Sequence, residues 1–179
     1  MNKKVTAIVL ASALASPVAL AKISVAAGGG RGPRAAAALA STSIKLEAEK
    51  KDRTLGAEGE AEYGERTRNG ITQKKLSAEV EVILDNAAAA ALVASDAKVE
   101  INGTTCKFTK APSVEPLLTD PTKSEVEFHG SVSQSGTDPI VMKGLDCGAT
   151  IPTVAAGQTA IFTVNTTPAI SLTATFVND

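Results

Sequence analysis

Residues 57–82 read AEGEAEYGERTRNGITQKKLSAEVEV, two alternating runs on either side of Asn69-Gly70. In the first run Ala57, Gly59, Ala61 and Tyr63 alternate with Glu58, Glu60 and Glu62. In the second, Leu76, Ala78, Val80 and Val82 alternate with Ser77, Glu79 and Glu81. A period of two is the mark of a strand with one wet face and one dry face. Asn-Gly between two such runs is the strongest short hairpin signal, because both turn residues need positive φ. Closing the hairpin at Asn69 and Gly70 sets Tyr63 against Leu76, Ala61 against Ala78, Gly59 against Val80 and Ala57 against Val82. Every small or apolar residue then meets another. A slip of one residue would turn the buried set outward, so the pattern specifies its own register.

The same logic extends along the chain. KVEINGTTCKF (residues 98–108) turns at Asn102-Gly103 and sets Val99 opposite Cys106, with Ile101 and Phe108 on the same inward face. Upstream, Ile44, Leu46 and Ala48 alternate with Lys45, Glu47 and Glu49. Downstream, a proline-punctuated loop over 110–123 precedes an inward row of Val126, Phe128 and Val132. PIVMKG (139–144), TAIFTV (159–164) and AISLTATFV (169–177) supply three further strands. The expected fold is all-β: an antiparallel β-sandwich or small barrel of about eight strands with one disulfide. One short helical insert is expected within residues 85–95, DNAAAAALVAS, capped by Asp85 or Asn86. With four Phe, one Tyr and no Trp, the core is built from Val, Ile, Leu and Ala, and contributes less per residue than an aromatic one.

The chain opens MNKKVTAIVLASALASPVALA. A basic pair, a short apolar stretch, Pro17 and the small-x-small site at Ala19 and Ala21 predict a signal peptide over 1–21. The apolar run is too short for a membrane anchor, so no transmembrane anchor is expected. A flexible Gly/Ala-rich leader over 22–42 and a single β-sandwich domain over 43–179 complete the organisation. The expected location is exported, periplasmic or extracellular. Cleavage leaves 158 of the 179 residues and removes two of 18 basic residues and none of 19 acids, taking the net charge from −1 to −3. That balance gives no clustered basic footprint, so no nucleic acid partner is expected. In an oxidising compartment Cys106 and Cys147 pair as a bridge between sheets. Closing a loop of about 40 residues stabilises the fold by about 4 kcal/mol in the chain-entropy view.

The hairpin register also opposes Glu58 to Glu81 and Glu60 to Glu79, and like charges directly opposed cost up to about 1 kcal/mol per pair. Three readings of these glutamates compete. Lysines such as Lys45 and Lys75 lean across, with solvent screening the rest; a divalent cation such as Ca²⁺ bridges Glu58, Glu60, Glu79 and Glu81; or the face meets a cationic partner. Alternation puts His129, the one histidine, on the polar face, and one histidine cannot build a multi-histidine zinc site within the chain. Ser95 and Lys98 satisfy Ser-x-x-Lys without its companion motifs, and no nucleophile elbow or phosphate loop is present, so no catalytic residue is assigned. The uncharged terminal strand is expected in mid-sheet, or else paired to another subunit.

At GEAEY, KKLSAEVEV, VEINGTTCKF and IPTVAAGQTAIFTV the layout resembles small exported bacterial β-sandwich proteins of unassigned function, and more distantly pilin-like subunits. The resemblance implies a fold and no catalytic residues. The expected function is a non-enzymatic binding or structural module, with an envelope or matrix partner, or a homo-oligomer. The alternatives are a self-assembling fibre, pilus or matrix subunit, and a divalent-cation-binding module on the glutamate face.

Overall fold

The computed structural model describes residues 41–179. The signal segment with Ala19 and Ala21, and the leader up to residue 40, lie outside the described residues. Chain order runs β1 (Thr42–Asp52), β2 (Ala57–Arg68), β3 (Ile71–Asp85), helix α1 (Asn86–Ala91), β4 (Ala97–Ile101), β5 (Thr104–Phe108) and β6 (Ser113–Leu117). There follow β7 (Asp120–Ser135), β8 (Val141–Lys143), β9 (Leu145–Asp146), β10 (Thr159–Val164), β11 (Ile170–Thr175) and β12 (Val177–Asn178). They form two antiparallel sheets. The seven-stranded sheet is ordered β12-β1-β2-β3-β7-β6, with β8 also on β7; the five-stranded sheet is ordered β11-β10-β4-β5-β9.

Both Asn-Gly hairpins form in the expected register. Ala57 pairs with Val82, Gly59 with Val80, Ala61 with Ala78 and Tyr63 with Leu76, while Val99 pairs with Cys106. Asn69, Gly70, Asn102 and Gly103 all have positive φ, as a tight two-residue turn that follows strand twist requires. The core lies between the sheets, where Tyr63, Phe128, Phe162 and Phe176 are the largest fully buried side chains.

The sheets are joined at two corners by strands that change sheet. At Gly144 the chain leaves β8, paired with β7, and enters β9, paired with β5. At Phe176 it leaves β11, paired with β10, and enters β12, paired with β1. Such corners are how a sandwich closes its sides. Close approach of the layers demands glycine at two sites. A Cβ on Gly59 would stand 2.6 Å from the Phe162 ring, and one on Gly130 would run into the Gly144 backbone.

The all-β sandwich is as expected, with the short segments β6, β8, β9 and β12 bringing the strand count to twelve. Four expectations need correction. The stretch 110–123 holds β6 and the start of β7, since Pro116 is tolerated on an edge strand at a register shift. The helix stops at Ala91, and Asp85 at its N-cap makes no side-chain capping bond. Asn86 instead ties the helix to β7, donating to the Pro121 carbonyl at 2.9 Å and accepting from Ser124 Oγ at 2.7 Å. The Cys106–Cys147 disulfide forms, but within one sheet. It continues the β5–β9 ladder in which Phe108 pairs with Leu145 and Lys107 with Asp146. Finally, β11 is the end strand of its sheet, with its last residue leading to the corner at Phe176.

Candidate functional site

The outer face of the seven-stranded sheet carries the acids. Strand alternation puts every second residue there, and the pairing of β1, β2, β3 and β7 lines them up in rows. Glu47 sits beside Glu62, which is followed by Ser77 and Ser131. The next row is Glu49, Glu60, Glu79 and His129. The third is Lys51, Glu58, Glu81 and Glu127. Glu125 extends the face on β7, paired with Glu115 of β6.

Few cations answer these carboxylates. Lys51 forms an ion pair with Glu58. His129 Nδ1 lies 3.3 Å from Glu79 Oε2. Lys45 does not lean toward the glutamates; its ammonium bonds Asp179, which β12 brings beside it. Lys75 lies in the row of Lys45 and Gly64, beyond the densest acids. The central carboxylates are crowded as a result. Partial burial, and then the charges of Glu47, Glu62, Glu79 and Glu49, hold the Glu60 carboxyl above the usual range. Glu81 is raised in the same way, by burial first and then by Glu125, Glu79, Glu58 and Glu127.

The four glutamates expected to share a cation do come together. Glu58, Glu60, Glu79 and Glu81 line a shallow depression of about 160 Å³. Among the described residues, a set of possible metal donors lies one strand over: Glu79, Glu127 and His129 offer ligand atoms all within 4.8 Å of one another. Alternation along β7 puts His129 on this face, and its companion there is Glu127. The alternation Glu125, Glu127, His129 was the available signal. What it lacked was the long-range pairing of β3 with β7.

The remaining sequence candidates do not assemble into a reactive site. Ser95 lies in a 3-10 turn (Ala94–Asp96), Lys98 on β4, and no hydrogen bond joins them among the described residues. Cys106 and Cys147 are consumed in the disulfide. Buried Tyr63 donates its hydroxyl to Glu65 at 2.6 Å. Burial and that bond push its ionisation well above the usual range, which suits a structural phenol. Among the described residues no helix is long and apolar enough to cross a membrane. No family model, curated protein or solved structure matches the chain.

Proposed function

We propose that the protein is an exported, non-enzymatic binding module that engages a positively charged partner through its glutamate face. The observation that carries this reading is the three rows of carboxylates across β1, β2, β3 and β7, in which Lys51 is the one lysine or arginine. Strands stand about 4.8 Å apart and successive outward residues about 7 Å apart, so the charges are spread over a flat area. A lattice of that kind matches an extended polycation, such as a basic protein segment of an envelope or matrix component, better than a single wrapped ion. Its attraction steers association and falls with salt.

The test is titration of the protein with a lysine-rich peptide at low and at physiological ionic strength. Binding that weakens with salt, and weakens again in the Glu60→Gln/Glu79→Gln double variant, is the expected result. Binding that ignores both the salt and the substitutions removes the reading.

A second reading rests on the depression between Glu58, Glu60, Glu79 and Glu81, where Ca²⁺ would find oxygen ligands. It requires Ca²⁺ to raise the melting temperature of the native protein and to leave that of the Gln double variant unchanged.

A further inference from the structure

Strand β11 is paired on one side only among the described residues, with β10. Its side chains alternate without exception. Ile170, Leu172 and Ala174 are buried, and Ser171, Thr173 and Thr175 are exposed. Neither β10 nor β11 contains a charged residue. An open strand edge is a template for pairing, and proteins normally blunt it with charge, proline or brevity. The other sheet ends of the described residues follow that rule. β12 has two residues and ends beside the Lys45–Asp179 ion pair, and the rest of β1 carries Lys50 and Lys51. β6 has Glu115 and Pro116, β8 is three residues long with Lys143, and β9 is two residues long and ends at the disulfide. Strand β11 alone is long, regular and uncharged.

We propose that two copies of this chain join through β11, antiparallel about a two-fold axis perpendicular to the sheet. The two five-stranded sheets become one continuous sheet. Only registers that centre a residue on the axis keep the buried row in line with the buried row. With Thr173 on the axis, Ser171 meets Thr175 and Leu172 meets Ala174 across the interface. The outer row over β10 and β11 is charge-free (Thr159, Ile161, Thr163, Ser171, Thr173, Thr175), so the two copies set no like charges against each other. The glutamate face repels a second copy, and the β11 edge does not. A foreign strand would find there no charge to select it. The second copy carries the matching edge by construction. An isologous contact of this kind closes on itself, giving a dimer and not a fibre. Both glutamate faces then point the same way, although pairing does not depend on what those faces bind.

Sedimentation velocity of the full chain over a wide concentration range tests the proposal. A concentration-dependent dimer is expected. Thr173→Lys and Thr173→Glu should each weaken it on the order of tenfold or more, because like charges meet at the axis. An equimolar mixture of the two variants should recover the dimer, and a cooperative melting transition in each will show that both are folded. A monomer at every concentration overturns the proposal, whether the edge stays open, is covered by residues 1–40 or takes another partner. A dimer indifferent to both variants, or a mixture that fails to recover it, overturns it as well.

Discussion

Gly130 of β7 packs backbone to backbone against Gly144, where the chain changes sheet. A Cβ at position 130 would stand 2.8 Å from the Leu145 nitrogen and nearer still to the Gly144 carbonyl. The contact is between main chains, so no side-chain rotation can relieve it. Gly130→Ala is expected to cost about 3 kcal/mol or more, read as a lower midpoint in urea denaturation. A midpoint unchanged from the native protein would mean that the corner is not this tight.

Gly59 poses the same problem against a side chain. Its missing Cβ leaves room for Phe162, which reaches across from β10, and the ring is itself almost wholly buried. Gly59→Ala should cost about 1–3 kcal/mol. Combining it with Phe162→Leu, which frees the space, should cost less than the sum of the two single changes. Strict additivity in a double-mutant cycle would contradict the packing.

The two Asn-Gly turns should respond differently to alanine. Asn69 and Asn102 both hold positive φ, a conformation that costs alanine about 1 kcal/mol. Asn102 also donates from Nδ2 to the Thr153 carbonyl at 3.0 Å and to Gln158 Oε1 at 2.7 Å, fastening the 147–158 segment to the hairpin. Asn102→Ala should therefore destabilise the protein by about 1 kcal/mol more than Asn69→Ala. Equal losses in chemical denaturation would remove the fastening role.

Acidification should first stabilise this protein. Glu60 and Glu81 are raised above their ordinary 4.5 in the folded state, by burial and then by neighbouring carboxylates. The folded chain thus binds more protons than the unfolded one as pH falls from neutrality toward that value, and stability rises over this window. Asp52 and Asp120 behave oppositely. Hydrogen bonds from Thr54 lower the first, and hydrogen bonds from Thr122 lower the second, below the ordinary 3.8. The stability they contribute is lost as pH drops further, through their folded values. Melting temperature should peak in mild acid, and the Glu60→Gln/Glu81→Gln variant should flatten the rise on the neutral side. A curve that falls steadily from pH 7 downward would contradict the crowding of the carboxylates.

Reduction should weaken the fold without unmaking the hairpins. The disulfide closes a 41-residue separation and continues the β5–β9 ladder. Its loss, by Cys106→Ala/Cys147→Ala, is expected to cost about 4 kcal/mol in the loop-entropy view. Because β9 holds only two residues, amide exchange should quicken most across residues 141–147. Uniform quickening throughout the five-stranded sheet would point to a global role instead.

Local pattern carried the reading furthest where partners are close in sequence. The β2–β3 hairpin was legible residue by residue, because alternation and an Asn-Gly turn leave only one register with both faces consistent. The opposed pairs Glu58–Glu81 and Glu60–Glu79 followed from it directly. The pairing of β3 with β7 was not legible, since about 40 residues intervene and many registers satisfy alternation equally well. Hence no local pattern links Glu127 to His129 or Lys45 to Asp179, the partner far away in sequence that takes its ammonium.

From its sequence alone this chain determined two Asn-Gly hairpins, an all-β body, the pairing of Cys106 with Cys147 and an acidic side to one sheet. Each of these depends on interactions of short range, or on there being only two cysteines to join. The tertiary structure decided which sheet the disulfide staples, where the strands cross between layers at Gly144 and Phe176, and that β11 lies at an edge. Those outcomes turn on how closely two layers pack and on which distant strands meet. Steric fit across the core sets both, and the spacing of residues along the chain does not record it.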